Sequence, residues 1–352
     1  MSDPLHYLVR PARMQFRSDN NATIHPAILA ALVDANTGAA RAYGDDGWTK
    51  RVNAAFAALF GVDVNVHLVA TGTAANSIAL AALTPPWGAI YCHREAHIET
   101  DECGAPTFFS GGAKLVLIDG PHAKIMPEGL REALARNQRG IHSVAPAAVS
   151  ISQASERGAC YTMDEVSALA DIAHGAGLAL HMDGARLANA AVHFRTGFRD
   201  LTRSCGVDAL SFGATKNGAM AAEAIVLFGR GREEVVARVR KRSGHLLSKH
   251  RYIAAQMLAY IENDLWRANA ERANALAARI GAAAGDWVSA PVETNQIFIK
   301  PGAANLAALR SAGADFYDWG PADSGEARLV VSWDQDEAEV DALCAVIARL
   351  RA

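Results

Sequence analysis

The sequence lacks the features that mark several classes of protein. No uninterrupted apolar run reaches the roughly 18 residues of a membrane span. The formal net charge of −3 argues against a nucleic-acid-binding protein. Residues 1–17 are polar and charged, unlike a secretory signal. We therefore expect a cytoplasmic protein whose partners include neither a membrane nor a nucleic acid.

Cysteine is also scarce and scattered. The chain has five cysteines among 352 residues and no CxxC pair: Cys92, Cys103, Cys160, Cys205 and Cys344. This spacing speaks against a zinc site and against a disulfide framework, so no metal is predicted. Apolar residues, in contrast, make up 51% of the sequence, which is typical of a globular enzyme with a large core.

Short apolar strands alternate with helical runs over much of the chain. The predicted strands are His67–Ala70, Ala89–Cys92, Lys114–Ile118, Ala147–Ile151, Leu178–Met182, Ala209–Phe212 and Ala224–Phe228. Each spacing between them suits a βα unit. We therefore predict an α/β protein in which residues 65–230 form one mostly parallel, doubly wound sheet.

The rest of the chain predicts smaller units on either side of this sheet. Residues 1 to about 15 are expected to form an arm. The pattern is helical over 232–283, and beyond it strands mix with helices, which is typical of a small α+β domain. We predict three parts: an N-terminal arm and segment over 1–30, a large domain over 31–250 and a small C-terminal domain over 251–352.

One turn predicts a binding site for a phosphate group. The strand His67–Ala70 is followed by the turn Thr71-Gly72-Thr73 and by an alanine-rich helix over Ala74–Leu83. Such a turn directs free backbone N–H groups, hydroxyls and the positive end of the helix dipole to one point. The alternative is an ordinary strand-to-helix turn, because the full glycine-rich fingerprint of a nucleotide site is missing.

Lys216 stands in an unusual place for a lysine. It follows the strand-like run Val207–Phe212 and lies among small and hydroxyl-bearing residues, with Asp208 as the other charged residue between 207 and 220. A confined lysine has a lowered pKa, because burial disfavours its charged form, and its neutral amine can act as a nucleophile. The alternative is a lysine paired in a loop.

Asp183 and His97 each follow a predicted strand. Asp183 ends the apolar strand Leu178–Met182, where a buried carboxylate is costly unless a cation or a protonated ring nitrogen meets it. Arg186 follows three residues later, and His97 lies just beyond another strand, where α/β sheets place ligand contacts. His97 alone could be an ordinary loop histidine. Together with Lys216 and the phosphate turn, these residues suit an aromatic aldehyde phosphate.

Several motifs resemble those of the low-specificity L-threonine aldolases, which are pyridoxal-phosphate enzymes of the aspartate-aminotransferase fold, or fold type I. These motifs are Gly-Thr-Ala-Ala-Asn (72–76), Ala-His-Ile-Glu-Thr-Asp-Glu-Cys-Gly-Ala-Pro (96–106), His-Met-Asp-Gly-Ala-Arg (181–186) and Phe-Gly-Ala-Thr-Lys-Asn-Gly (212–218). The resemblance runs from about Phe16 to Arg351. It is to the branch that carries Thr-Lys-Asn-Gly and is active on L-threonine and L-phenylserine.

The resemblance implies roles for residues around a bound pyridoxal 5′-phosphate. Lys216 would hold the cofactor as a Schiff base, and Asp183 would pair with the pyridine nitrogen, so that the ring can absorb electrons. Gly72 and Thr73 would bind the phosphate. His97 would stack on the ring and could accept the proton of the substrate hydroxyl.

Further roles concern the substrate. Ser18, Arg186 and Arg328 would bind the amino-acid carboxylate, since a guanidinium binds a carboxylate in bidentate fashion, and Arg186 would also contact the cofactor. His142 matches a second family histidine near the hydroxyl. The resemblance thus makes Lys216, Asp183, His97 and His142 the catalytic residues, with the general base left open between His97, His142 and a water.

Two more residues resemble positions that reach the site from a neighbouring subunit, namely Tyr43 toward the substrate and Lys249 toward the cofactor. A homodimer or homotetramer is therefore expected.

The implied reaction is retro-aldol cleavage of L-threonine, L-allo-threonine or L-phenylserine to glycine and an aldehyde. The alternatives are a β-eliminating lyase, a racemase or an aminotransferase of the same fold, or a binder without catalysis. Ser152-Gln153-Ala154-Ser155 replaces the common Asn-Thr-His, which leaves the threo/erythro preference open.

Overall fold

The computed structural model describes residues 14–136 and 139–352. The first 13 residues of the predicted arm lie outside this part of the chain. The strands are β1 (Met14–Gln15), β2 (Asn65–Val69), β3 (Gly88–His93), β4 (Lys114–Ile118), β5 (Ala145–Ser152), β6 (Ala179–Gly184), β7 (Ala209–Gly213), β8 (Glu223–Leu227), β9 (Gln296–Ile299), β10 (Ala314–Asp315), β11 (Tyr317–Trp319) and β12 (Glu326–Val330).

The helices lie between and after these strands. They are α1 (Pro26–Ala35), α2 (Gly47–Phe60), α3 (Gly72–Leu83), α4 (His97–Thr100), α5 (Ala105–Phe109), α6 (Pro127–Arg136), α7 (Met163–Gly175), α8 (Leu187–Phe194), α9 (Phe198–Leu201), α10 (Glu233–Arg242), α11 (Arg251–Ile261), α12 (Leu265–Ala284), α13 (Ala303–Ser311) and α14 (Glu337–Arg351). In the described part of the chain, no helix is both long and apolar enough to cross a membrane.

Local sequence signals fix where several helices begin and end. Pro26 opens α1, where its missing N–H costs nothing, and the side chain of His25 accepts a hydrogen bond from the backbone of Ala27. Asp46 caps α2 by accepting from the backbone N–H of Thr49, and Gly61 ends the helix in a left-handed conformation, with φ of 62°. Pro26 and Gly61 therefore mark the start of α1 and the end of α2.

The large sheet has the strand order β2-β8-β7-β6-β5-β3-β4. Strands β7, β6, β5, β3 and β4 are parallel, and β8 is antiparallel to both of its neighbours, β7 and β2. The mostly parallel sheet is thus confirmed. One detail is wrong: the connection from β7 to β8 is not a βα crossover, because residues 214–222 are too few for one, and they form a tight turn that reverses the chain.

Alternate side chains of the sheet enter two separate hydrophobic clusters, one on each face. Leu180 and Leu210 belong to the larger cluster, which also includes α7 and α11, while their neighbours Ala179 and Ala209 belong to the cluster that packs against α3. Because both faces are covered by helices, β3, β6, β7 and β8 are buried along their whole length. Such a doubly wound sheet presents the carboxyl ends of its parallel strands as a site for ligands.

A third cluster forms beyond this sheet. It joins the antiparallel sheet β11-β12-β9 to α13, α14 and the end of α12, and it includes Phe16 from the N-terminal segment. In contrast, α11 and the start of α12, which contains Trp266, pack in the core of the large sheet. The division of the chain at residues 30 and 250 stays a prediction.

Candidate active site

A cavity of about 850 Å³ lies at the carboxyl ends of the parallel strands. The predicted site residues that line it are Ser18, Gly72, His97, Asp183, Arg186, Lys216 and Arg328. The sheet explains part of this convergence. Asp183 on β6 pairs in register with Ser211 on β7, and Lys216 follows β7 in the turn Thr215–Asn217. Adjacent strands, about 4.8 Å apart, therefore deliver the carboxylate and the amine to one cavity.

Asp183 is a buried carboxylate with two hydrogen-bond donors. Asn76 Nδ2 donates to Oδ2 at 2.7 Å, and the backbone N–H of Ala185 donates to Oδ1 at 2.9 Å. Burial opposes ionisation, but the charges of His97 and Lys216 and the two donors outweigh it, so the pKa of Asp183 lies below its usual value. The ionised carboxylate can hold a protonated ring nitrogen.

His97 begins α4 and is held by two carboxylates. Its backbone N–H donates to Glu156 Oε1 at 2.9 Å, and its ring Nδ1 lies 2.9 Å from Glu102 Oε1. The hydrogen bond to Glu102 is the main reason that the pKa of His97 lies above its usual value, although burial opposes the shift. The same Glu102 oxygen accepts from Asn76 Nδ2 at 2.8 Å. Within the described residues, Nε2 of His97 has no hydrogen-bond partner.

Lys216 stands in the turn between β7 and β8. Its amine makes no hydrogen bond or ion pair with any residue of 14–136 and 139–352. Burial lowers its pKa, and the nearby charge of Arg186 acts in the same direction, while Asp19 and Asp183 oppose the shift. The sequence-based expectation of a confined lysine with a lowered pKa agrees with this environment.

Residues of α11 and α12 anchor this turn through hydrogen bonds. Asn217 Nδ2 donates to the hydroxyl of Tyr260 at 2.9 Å and to the carbonyl of Trp266 at 2.8 Å. Asn269 Nδ2 donates to the carbonyl of Asn217 at 2.9 Å. The residue next to Lys216 is thus anchored by three hydrogen bonds in the core, which fixes the direction of the lysine backbone.

The start of α3 leaves two backbone N–H groups free. Thr71 accepts from Ala74 with its side chain and from Ala75 with its carbonyl, both at 3.1 Å, so the amides of Gly72 and Thr73 are the ones left without an acceptor within the helix. A Cβ placed on Gly72 would meet no atom within 4 Å, so open space adjoins this backbone. Free amides at a helix N-terminus suit an anion.

The two arginines predicted to bind the substrate carboxylate differ in whether an acidic side chain already pairs with them. Arg186 donates through Nε and Nη2 to the two oxygens of Asp19, at 2.8 and 2.9 Å, and Asp19 also accepts from Asn295 at 3.0 Å. Two of the donor nitrogens of Arg186 are therefore already engaged. Ser18, beside Asp19, lines the cavity while its Oγ accepts from the backbone of Asn20 at 3.2 Å.

Arg328, in contrast, has no acidic partner among the described residues. Its guanidinium lies over the rings of Trp319 and Tyr317, at 5.0 and 5.7 Å, and its Nε is buried without a hydrogen-bond acceptor. Burial and the nearby charge of Arg186 lower its pKa to about 10, so it stays a cation at neutral pH. A cation in this state is suited to an incoming carboxylate.

Four predicted site residues do not line this cavity: Thr73, which follows the lining residue Gly72, and Tyr43, Lys249 and His142. Tyr43 and Lys249 are exposed and lie side by side, because the backbone N–H of Tyr43 donates to the carbonyl of Ser248 at 2.9 Å. His142 is exposed in the turn before Ala145, at the amino end of β5, whereas the cavity is at the carboxyl end. A strand of this length spans roughly 25 Å, so a single chain does not bring His142 to Lys216.

Several residues of the site were not predicted from the sequence, and three of them hold the side chains of predicted site residues. Asn76, Glu102 and Asp19 contact Asp183, His97 and Arg186 respectively. Asn76 and Glu102 lie within the motifs that carry the family resemblance, and Asp19 follows Ser18 directly. The signal was therefore present as polar residues near predicted site residues, but nothing in their spacing showed which side chain each one contacts.

Comparison with known proteins gives closely related sequences. The family model described as beta-eliminating lyase matches residues 15–303. A low-specificity L-threonine aldolase of Pseudomonas aeruginosa is 41% identical over 326 residues, covering 92% of this chain and 93% of the relative. A protein of the same name from a Pseudomonas species is 41% identical over 337 residues, covering 95% of this chain and 96% of the relative.

Solved structures agree with the sequence relatives. A threonine aldolase of Leishmania major superposes with a TM-score of 0.88 at 29% identity, covering 96% of this chain and 99% of that chain. An aspartate aminotransferase of Thermus thermophilus superposes with a TM-score of 0.70 at 16% identity, covering 96% of this chain and 91% of that chain. The second likeness concerns the fold alone. The predicted fold class, an aspartate-aminotransferase-like α/β protein, is confirmed.

Proposed function

The chain belongs to the beta-eliminating lyase family and, within it, to the low-specificity L-threonine aldolases, and from this premise we propose that it cleaves β-hydroxy-α-amino acids to glycine and an aldehyde. The proposed substrates are L-threonine, L-allo-threonine and L-phenylserine. One observation carries the proposal: Lys216, Asp183, His97 and Arg328 line the same cavity. An amine, a buried carboxylate, an imidazole and an unpaired cation are the groups that this reaction needs.

We propose pyridoxal 5′-phosphate as the cofactor, and the residues present fit it. The ionised Asp183 suits a protonated pyridine nitrogen, the free amine of Lys216 suits the aldehyde, and the free amides of Gly72 and Thr73 suit the phosphate. When bound, this cofactor supplies an electron sink for the bond that breaks at Cα. The remaining chemistry, which is to bind the carboxylate and to move protons, belongs to the side chains of this chain.

The substrate would be oriented by its carboxylate. Arg328 offers unpaired N–H donors, and Arg186 keeps Nη1 free while Asp19 holds its other nitrogens. Two guanidinium groups on one carboxylate fix the plane in which the Cα–Cβ bond lies. Tyr317 and Trp319 line the same cavity and provide aromatic surface, which supports an aryl substrate such as L-phenylserine.

Lys216→Ala provides the test of this function. We expect the wild-type protein to be yellow, to lose that absorbance on borohydride reduction, and to release acetaldehyde from L-threonine and benzaldehyde from L-phenylserine. Lys216→Ala should lose both the Schiff-base absorbance and the aldehyde release, because no other lysine of the described residues lines the cavity. The matched control is Lys114→Ala, an exposed lysine at the amino end of β4, which should keep both.

The products separate this reaction from its alternatives. A β-eliminating lyase or an aminotransferase would give a keto acid, and a racemase would give the D-amino acid without any aldehyde. 2-Oxobutanoate without acetaldehyde from L-threonine, or pyruvate without formaldehyde from L-serine, would refute the aldolase. A colourless protein that binds no cofactor would refute the enzyme altogether.

We also propose that a second copy of the chain completes the site and that the protein is a homodimer or homotetramer. Tyr43 and Lys249 are exposed neighbours outside the cavity of their own chain, which supports a contribution to a partner's site. Leu29 and Val33, one turn apart on α1, are 50% and 66% exposed and suit an interface.

A cytoplasmic location is part of the proposal, supported by five free cysteines among the described residues.

A further inference from the structure

We propose that Glu102 is a positioning residue that holds His97 as the acceptor of the proton from the substrate β-hydroxyl. This inference rests on the proposed function. The family resemblance assigned no role to Glu102, although Glu102 lies in the same motif as His97. It was not among the expected site residues. Its place is in the connection between α4 and α5, five residues after His97.

The geometry of the Glu102 side chain carries the proposal. The side chain of Glu102 is 0% exposed, whereas that of His97 is 39% exposed and lines the cavity. Glu102 Oε1 lies 2.9 Å from Nδ1 of His97, on the side of the ring away from Nε2. A buried carboxylate on Nδ1 favours the tautomer with its proton there and leaves the lone pair of Nε2 available to the substrate.

Asn76 fixes Glu102 in turn. Its Nδ2 donates to Glu102 Oε1 at 2.8 Å and to Asp183 Oδ2 at 2.7 Å. A single amide therefore connects the carboxylate that meets the ring nitrogen of the cofactor with the carboxylate that orients the histidine. Since the hydrogen bond from Asn76 to Glu102 is buried, moving Glu102 would leave an N–H group of Asn76 without a partner, which is costly. Contacts with Asn76 and with His97 thus fix the position of the Glu102 side chain.

The proton step balances with these groups alone. The β-hydroxyl O–H bond breaks as its proton passes to Nε2 of His97, and the electron pair left on the oxygen forms the carbonyl bond of the aldehyde. The electron pair of the Cα–Cβ bond stays with Cα, and one proton, the same number that His97 took up, adds to Cα to complete glycine and leaves His97 neutral again. During this step His97 becomes a cation, and the carboxylate of Glu102 stabilises that cation through Nδ1–H.

Charged groups from several elements act on the imidazole. Glu102 and Asp183 raise the pKa of His97, and Lys216 lowers it. Glu156 binds the backbone N–H of His97, and burial raises the pKa of this carboxyl to about 7. Of these carboxylates, Glu102 alone accepts from the ring, and its hydrogen bond is the largest contribution to the shift. Removal of its charge should therefore lower the pKa of His97.

Glu102→Gln tests this role, because it keeps the size of the side chain and removes the charge. We expect the cofactor absorbance to survive, kcat to fall by about 100-fold and KM to change little, since general-base work contributes roughly 10²- to 10⁴-fold. The acid limb of the pH profile of kcat/KM should move to lower pH. The matched control, Glu99→Gln, alters an exposed residue of α4 and should behave like the wild type.

A readout independent of turnover is the NMR titration of the histidine Cε1–H signals, with the His97 signal assigned through His97→Asn. This signal should titrate at a lower pH in Glu102→Gln than in the wild type and in Glu99→Gln. Glu102→Asp, which restores the charge, should return the titration toward the wild-type pH. If Glu102→Gln fails to fold, the same comparison is made between Glu102→Asp and the wild type, with a titration still above that of an ordinary histidine expected in both.

The outcomes separate the two proposals. An unchanged His97 titration, or an unchanged kcat and pH profile, in folded Glu102→Gln would overturn the role of Glu102 even if the wild type is an active aldolase. A wild type that releases no aldehyde would overturn the proposed function, and with it His97 as the proton acceptor, whatever the NMR titration gives. Rate loss together with a titration at lower pH supports the inference.

Discussion

Arg328 faces the cavity as a cation that no carboxylate of the described residues neutralises. Its Nε is buried without an acceptor and it forms no ion pair there, whereas Arg186 is held by Asp19 on two nitrogens. An unpaired donor in such a place is costly unless a ligand satisfies it. The substrate carboxylate would satisfy it, which makes Arg328 the stronger of the two anchors.

Replacing Arg328 by Gln should therefore act on substrate binding. We expect KM for L-threonine to rise roughly 10- to 150-fold, because a hydrogen bond to a charged group contributes about 1.5–3 kcal/mol. The Schiff-base absorbance should be unchanged, since Arg328 is not among the residues that fit the cofactor. Steady-state kinetics measures the effect, with Arg349→Gln, an exposed arginine of α14, as control. A normal KM in Arg328→Gln would contradict the assignment.

Single residues differ in how well the sequence predicts their surroundings. Lys216 and Asp183 were predicted to share a pocket because an amine and a carboxylate at the ends of apolar strands have few structural roles, and both line the cavity. Asp19 and Glu102 were missed, because they contact other side chains of the site and their partners lie far away in the chain or on another turn. His142 was placed by resemblance alone, although its position before the predicted strand Ala147–Ile151 already indicated the amino end of β5.

The turn between β7 and β8 depends on one glycine. Gly218 has a φ of 116°, and a Cβ there would lie 2.8 Å from Asn269 Nδ2 and 3.2 Å from His25 Cβ. Asn269 is the residue that donates to the carbonyl of Asn217, beside Lys216. A side chain at position 218 would therefore both strain the backbone and displace an anchor of the catalytic turn.

Gly218→Ala should destabilise the protein and disturb cofactor binding together. The backbone conformation alone costs of order 1–3 kcal/mol for a residue with a Cβ, and the contact with Asn269 adds to it. We expect a lower urea midpoint and a weaker Schiff-base absorbance at equal cofactor concentration. Gly229→Ala is the control, because Gly229 has no positive φ and a Cβ placed on it would meet no atom within 4 Å. Equal midpoints for the two variants would disprove this account.

The elements that carry the site were easier to predict than their connections. Apolar strands such as β6 and β7 were placed correctly, because strands covered on both faces form uninterrupted apolar runs. The direction of β8 was not, since Glu223–Leu227 has the same apolar character in either direction and only the length of the connection distinguishes the two. Short helices such as α4 and α9 have too few residues for a periodic pattern to appear.

The architecture of the whole chain followed from the alternation of strands and helices, whereas the cores do not follow chain order. Phe16 packs in the C-terminal cluster, and α11 packs in the core of the large sheet. These are contacts between residues distant in sequence, and composition carries no sign of them. Local sequence patterns also do not indicate which residues would contribute to the site of another chain.

Mixing two inactive variants tests whether the site is shared between chains. We expect both Lys216→Ala and Lys249→Ala to be poorly active. Lys216→Ala lacks the amine that binds the cofactor. In Lys249→Ala, each site lacks the lysine that the other subunit would contribute. In a two-fold hybrid, one site would combine the intact Lys216 of one subunit with the intact Lys249 of the other. If the subunits are unfolded, mixed in equal amounts and refolded, about a quarter of all sites should be intact.

The measurement is aldehyde release by the refolded mixture, compared with each variant refolded alone. Recovery of roughly one quarter of the wild-type rate would support a site completed by the partner, since chains that carry all their own groups could not complement each other. A mixture no more active than its components, with Lys249→Ala itself fully active, would mean that Lys249 has no part in any site. Tyr43→Phe mixed with Lys249→Ala serves as the control: both changes lie on the same exposed surface, so every site of their hybrid would receive one altered residue from its partner and none would be restored.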